Sequence, residues 1–270
     1  MSTHSKVILV TGASSGIGEA SAEYLQQCGH TVYCGSRKTQ NKPESRQLSL
    51  NVDDCDSVNS VVELVIKHEG RIDVIVNCAG FGIVGAVEDT SIEEAKSQFE
   101  TNFFGVVRVC RAVLPLMRAQ RSGLIINISS IAGLVSLPFQ AFYSASKFAL
   151  EGLSEAMAME VAPFGVRIVL IEPGDFRTKF TANRKRTRGS ANDSQYRQRY
   201  QKALAVFEKE EANGDDPIAV ARLVSRIIDH ESPRLRYSVG PTGERIVPAL
   251  KQILPQKLYK WLFMKHYDIH

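Results

Sequence analysis

The sequence predicts a single α/β domain built on a doubly wound sheet of seven parallel strands. Short runs rich in Val and Ile recur along the chain, most are apolar at every position, and longer segments of helical period separate them. Strands apolar on both sides belong to a sheet covered on both faces. At 270 residues, 44% hydrophobic and 23% charged, the chain can fill one such body, and its composition makes no case for disorder.

The first strand is expected at Val7–Val10, and the glycine-rich stretch after it opens a helix over Gly16–Cys28. Thr31–Cys34 and Gln47–Leu50 read as the next strands, and the helix Cys55–Glu69 leads into a fourth, Val74–Val76. One long helix is expected over Ile92–Arg118, then a strand at Leu124–Ile128, a helix at Phe142–Val161 and a strand at Arg167–Ile171. The helix Pro217–Asp229 and the strand Arg236–Val239 complete the pattern, with right-handed crossovers throughout. Two stretches break the rhythm. Asp175–Gly214 is long and polar and follows a strand end where such sheets bind ligands, so a mobile substrate lid is expected over about residues 175–214. Residues 241–270 are expected to be a helical extension of the same domain, whose main body spans 1–240.

A net charge of +4 is too small to imply a nucleic-acid partner. The five cysteines (Cys28, Cys34, Cys55, Cys78, Cys110) form no C-x-x-C pair, which points to buried reduced thiols and no metal site. The N-terminus shows no secretory pattern, and no apolar run approaches the roughly 18 residues of a membrane span, so a cytoplasmic location is expected. Arg184-Lys185-Arg186-Thr187-Arg188 reads as a mobile solvated loop. The tail Val247–Tyr267 mixes apolar residues with Lys251, Lys257, Lys260 and Lys265, but Pro255 interrupts it. Packing on its own or a neighbouring subunit is expected, with peripheral membrane contact as the alternative.

The chemistry begins directly after the first strand, at Gly12, Ser14, Ser15, Gly16, Ile17 and Gly18. Small residues there let the backbone approach a pyrophosphate, which the N-terminus of the following helix would attract; the plainer alternative is a tight turn. Ser36, Arg37 and Lys38 end the second strand, where an adenosine ribose would lie, and no acid stands there. An acid would favour NAD by accepting from both ribose hydroxyls, whereas the Arg37 fork suits a 2′-phosphate, so NADP is expected as cofactor and NAD is disfavoured. Ser130, Tyr143 and Lys147 fall at a strand end and the next helix. Four residues apart, Tyr143 and Lys147 share a helix face, and an ammonium there favours the phenolate.

Taken jointly, Thr11-Gly-Ala-Ser-Ser-Gly-Ile-Gly18, Asn77-Cys-Ala-Gly80, Asn102, Ser130, Tyr143-Ser-Ala-Ser-Lys147 and Pro173-Gly174 resemble the short-chain dehydrogenase/reductase family over about residues 6 to 240. The resemblance implies a Rossmann-like fold and hydride transfer between a nicotinamide and an alcohol or ketone. Tyr143 would be the proton donor, Ser130 would orient the carbonyl, Lys147 would lower the tyrosine pKa and hold the nicotinamide ribose, and Asn102 would support a proton relay. Asn77, Ala79 and Gly80 would support the central strand and the adenosine-side ribose, with Val52 nearby, and Pro173, Gly174 and Thr178 would lie along the nicotinamide half. Two positions depart from the family pattern: Cys78 replaces a second Asn, and Asn51 stands where many relatives place an Asp against the adenine.

Glu172-Pro-Gly-Asp-Phe-Arg-Thr178 and the length beyond the last strand are similar to hydroxysteroid and retinol dehydrogenases, implying a lipophilic substrate. Phe81, Ile83, Val84, Val135, Leu137, Phe139 and Phe142 are candidate apolar neighbours of the site. Alternatives are a β-ketoacyl-type reductase and a catalytically silent nucleotide-binding sensor, while the glycine spacing argues against a sugar-nucleotide epimerase. The resemblance also implies a homodimer or homotetramer.

Overall fold

The computed structural model describes residues 5–39, 42–190 and 194–270. The chain runs β1 (Val7–Thr11), α1 (Gly16–Gln27), β2 (Thr31–Ser36), β3 (Gln47–Ser49), α2 (Cys55–Glu69), β4 (Val74–Asn77), β5 (Ile83–Val84), α3 (Ile92–Phe99), α4 (Gly105–Gln120) and β6 (Gly123–Ile128). It continues through α5 (Ala141–Val161), β7 (Val166–Pro173), α6 (Phe180–Asn183), β8 (Lys185–Arg186), α7 (Arg197–Ala212), α8 (Ile218–Asp229), β9 (Arg236–Val239), α9 (Thr242–Ile253) and α10 (Gln256–His266). Seven strands form the expected parallel, doubly wound sheet, in the order β3-β2-β1-β4-β6-β7-β9.

Alternation explains why these strands are apolar throughout. Val7 and Leu9 of β1 face the layer made with Val61 and Val65 of α2, Val109 and Val113 of α4, and Leu150 of α5. Ile8 and Val10 face the opposite layer, with Leu25 of α1 and Val220, Val224 and Ile227 of α8. One polar relay crosses this interior. Asn77 Nδ2 donates to Asn127 Oδ1 at 2.9 Å, and Asn127 Nδ2 donates to Ser154 Oγ at 2.9 Å, tying β4 to β6 and α5.

Several expectations need correction. The helix expected over Ile92–Arg118 is interrupted by a π-helical turn at Glu100–Phe104 and runs on to Gln120. The extra residue in that turn carries Asn102 onto the loop after β4. There its Oδ1 accepts from Phe81 N at 3.0 Å and its Nδ2 donates to Phe81 O at 3.0 Å. Asp175–Gly214, expected as a mobile lid with no helix assigned to it, contains α6, β8 and α7 among its described residues, while residues 191–193 lie outside them. Tyr200, Ala203, Leu204 and Phe207 bury one face of α7, a helical spacing hidden in the sequence by the charges around it.

The basic cluster is not wholly solvated either. Arg184 is almost fully buried in an ion pair with Glu211, Lys185 and Arg186 form β8 beside β5, and only the outer side chains reach water. Cys28 and Cys55 are exposed because each stands at a surface helix end, and the other three are buried or partly so. The tail divides at Pro255, which starts α10. Phe263, Met264 and Tyr267 pack it against Ala203 and Phe207 of α7 in the same chain. Among the described residues, no helix is long and apolar enough to cross a membrane.

Candidate active site

The sheet order reverses between β1 and β4, and the carboxyl ends of the strands there open into a cavity of about 1160 Å³. Gly12, Ser14, Ser15, Gly16, Ile17 and Gly18 line one end. Gly12 has φ +68° and Gly16 φ +60°, and a Cβ at position 12 would stand 2.8 Å from the Ala79 backbone. A Cβ at Gly18 would collide with the Gly12 carbonyl, so the loop can fold this tightly only without side chains there. Ser15 starts α1 without a side-chain cap, leaving the helix N-terminus to an incoming anion. Thr11 Oγ1 accepts from Cys78 N at 3.1 Å and Ala79 N at 3.2 Å, binding the two strand ends together. This bare, positive cradle fits a pyrophosphate.

Ser36, Arg37, Lys38, Val52, Ala79 and Gly80 continue the wall. Arg37 is 63% exposed, and its Nη1 lies 3.8 Å from Asp53 Oδ2, a contact loose enough to yield to another anion. Asn51 and Asn77 do not join that wall. Asn51 Oδ1 turns back to accept from Asp53 N at 3.3 Å, between the lining residues Leu50 and Val52. Asn77 is buried in its relay beneath the site, so its support is to the strand.

Farther along, Ser130, Tyr143, Lys147, Pro173, Gly174 and Thr178 meet on the same cavity. Ser130 follows β6, accepts from Ala132 N at 3.0 Å and donates to Pro173 O at 3.4 Å. Tyr143 and Lys147 stand on α5, with the Lys147 ammonium 5.9 Å from the Tyr143 ring centre and donating to Ile128 O at 2.8 Å. Asn102 remains behind this wall, held by Phe81 and donating to Ser146 Oγ at 3.3 Å. Thr178 Oγ1 accepts from Phe180 N at 3.1 Å, and a Cβ on Gly16 would touch Thr178, so the start of the 175–214 segment covers the glycine loop.

The electrostatics differ from the sequence expectation. Burial pushes the Tyr143 phenol up to about 12, opposed by its hydrogen bond with Ser130, and Lys147 does not dominate. Burial also brings Lys147 down to about 8. Burial, then the carboxylates of Glu244, Glu211 and Glu210, push Asp175 up to about 8.

Some site residues were not anticipated. The Phe180 ring lies 5.7 Å from that of Tyr143, and the Arg184 guanidinium is 5.6 Å from Phe180 and 6.0 Å from Phe207. Thr181 and Arg184 both bond to Glu211, joining α6 and the β8 segment to α7. Val247 and Leu250 of α9, Leu254 just after it, and Leu262 and Phe263 of α10 wall the far arm of the cavity, signalled only by their spacing. Of the expected apolar neighbours, Phe81, Val135 and Leu137 line the cavity; Ile83 and Val84 form β5, Phe139 packs on Tyr200, and Phe142 is not in the wall.

The model of the short chain dehydrogenase family matches residues 6–189. A 3-ketodihydrosphingosine reductase of Bacteroides thetaiotaomicron is 44% identical over 98% of each chain. The crystal structure of a short-chain dehydrogenase from Streptomyces avermitilis has a TM-score of 0.81 at 34% identity, covering 98% of each chain. A variant of ElxO solved with NADPH bound has a TM-score of 0.71 at 25% identity, covering 87% of this chain and 97% of its own.

Proposed function

This chain belongs to the short-chain dehydrogenase family, and from that premise we propose that it reduces the ketone of a long-chain lipid with NADPH, Tyr143 giving the proton. It is an oxidoreductase acting between CH–OH and C=O, as its family and relatives are. The observation that carries the substrate class is one cavity continuing from the glycine loop, past Tyr143, to the apolar arm of α9 and α10. Such an arm takes hydrocarbon out of water. Steroid-like and retinoid-like shapes are also lipophilic, but an extended chain agrees with the name of the 44% identical relative.

Of the acids lining the same cavity, Glu211 is paired with Arg184 and Glu210 with His266, which leaves Asp175 and Glu244 to favour a cationic amino group on the substrate. Asp175 holds its proton more strongly than an ordinary carboxyl, and an ammonium beside it would favour the carboxylate. Tyr143, protonated through the neutral range, is in the form that can give a proton to a developing alkoxide, with Ser130 placed to orient the oxygen. When bound, NADPH supplies the hydride. Gly12 and Ser14 to Gly18 would hold its pyrophosphate, Ser36, Arg37 and Lys38 its 2′-phosphate, and Pro173, Gly174 and Thr178 its nicotinamide half. A homodimer or homotetramer is part of this reading, supported by Phe104 beside α4 and by Phe148 and Met159 on α5, all exposed.

Oxidation of NADPH by matched ketones tests the proposal. A long-chain 2-amino-3-ketone is expected to exceed a four-carbon ketone by about 100-fold or more in kcat/KM, since each buried methylene contributes about 0.8 kcal/mol. No turnover of any ketone by NADPH-bound protein would leave a sensor. Equal turnover of both would remove the lipid assignment.

We further propose that residues 175–214 act as the lid. Phe180 rests on Tyr143, and Lys185 N donates to Gly82 O at 2.9 Å, Thr187 N to Val84 O at 3.1 Å and Arg188 N to Glu94 Oε1 at 3.1 Å, so the stretch over the site is tied to the body by bonds that opening would break together. Saturating NADPH is expected to slow amide exchange over residues 179–188. Unchanged exchange there would mean a fixed wall.

A further inference from the structure

Among the described residues, half of the exposed large apolar side chains lie on the last two helices: Ile246, Leu250, Ile253, Leu258, Trp261 and Leu262. The first three recur at a helical spacing on α9, and the last three on α10, so each helix presents a stripe. Ile253 is 78% exposed and Trp261 52%. The stripe is interleaved with charge of one sign. From Arg245 to Tyr267 the chain carries Arg245, Lys251, Lys257, Lys260 and Lys265 and no Asp or Glu; Lys251 turns back to donate to Leu134 O, and the flanking acids are engaged by the body, Glu244 with Asp175 N and Asp268 with Lys202. The Lys265 ammonium lies 5.2 Å from the Trp261 ring centre, so cation and aromatic share the face.

We propose that the α9–α10 hairpin docks this enzyme on an anionic lipid bilayer. A second copy is a poor occupant, because two such faces would bring together like charges with no acid between them. An acidic protein supplies the countercharge but offers no apolar phase for Ile253 and Trp261. An anionic membrane supplies both, and interfacial tryptophans flanked by lysines suit its headgroup region. Pro255 separates two short helices that can lie along the interface without spanning it. Leu250 and Leu262 belong both to this outer face and to the cavity wall, so docking sets the mouth of the cavity against the bilayer. Only that last link rests on the lipid-substrate reading.

Trp261 is the chain's single tryptophan, so its emission reports this face directly and needs no substrate. With vesicles of phosphatidylcholine and phosphatidylglycerol, the full-length protein is expected to show a blue shift and quenching by brominated acyl chains. With phosphatidylcholine alone the effect should be much weaker. Each lysine near an anionic surface contributes about fivefold in partition, so the double variant Lys257→Glu, Lys260→Glu should partition about 30-fold less or weaker still. Ile253→Ser should lose about tenfold. Unchanged circular dichroism and Tm in these exposed-site variants separate lost docking from lost folding. Emission unmoved by anionic vesicles, or equal partition of the charge-reversed protein, overturns the proposal. An equal blue shift with polyglutamate overturns it in favour of an acidic protein partner.

Discussion

Tyr143→Phe is expected to reduce kcat by about 10²–10⁴-fold while NADPH still binds with nearly unchanged affinity. The substitution removes one hydroxyl from a buried ring and leaves the space it fills almost the same. Lys147 keeps its hydrogen bond to Ile128 O, and Phe180 keeps a ring to pack on, so the wall of the site should stand. What disappears is the proton and the hydrogen bond shared with Ser130. Because the loss falls on the reacting oxygen, kcat and kcat/KM should fall together. Steady-state kinetics with a ketone substrate, alongside NADPH titration by fluorescence, checks both halves. A variant retaining more than about a tenth of wild-type kcat would assign the proton to another group.

Arg37→Asp should invert the choice of cofactor. The wild-type guanidinium stands at the end of β2, largely exposed and only loosely engaged with Asp53, and Lys38 lines the cavity beside it. A charge-assisted hydrogen bond to a phosphate contributes on the order of 1.5–3 kcal/mol, so losing one or two weakens NADPH by about 10- to 1000-fold. The new carboxylate adds repulsion, and it can accept from the free ribose hydroxyls of NADH. Dissociation constants for both cofactors on both proteins, at one ionic strength, decide the matter because exposed charges are screened. A wild type that binds both equally, or a variant of unchanged preference, would make Arg37 an ordinary surface residue.

The architecture was legible because it depends on local pattern. Ile8, Val10, Leu124 and Ile126 are apolar on one side of their strands and Leu9 and Ile125 on the other, and that doubled burial is written directly into the runs. The group that meets at the cavity was legible for a similar reason: Gly12 to Gly18 sit between a strand and a helix, and Tyr143 and Lys147 stand one helical turn apart. What escaped depends on distance along the chain. Arg184 and Glu211 are separated by 27 residues and meet only because β8 pairs with β5 and α7 folds back. Burial is likewise a property of the assembled wall. The sequence suggests that Lys147 draws the Tyr143 phenol down, whereas enclosure on all sides moves it the other way. Asn102 was expected to support a proton relay; that its amide would be held by the backbone of Phe81, 21 residues earlier, is a contact of the folded chain.

The π turn at Glu100–Phe104 makes chain length itself part of this construction. A regular helix advances about 100° per residue, so removing one residue would let the ladder close into an uninterrupted α-helix and would rotate one half against the other by about that angle. The Asn102 amide would swing away from Phe81, or the buried face of α4 would leave the sheet; no repacking serves both. Exposed Phe104 can therefore be exchanged at little cost, whereas a one-residue deletion within Glu100–Phe104 is expected to misplace either Asn102 or α4.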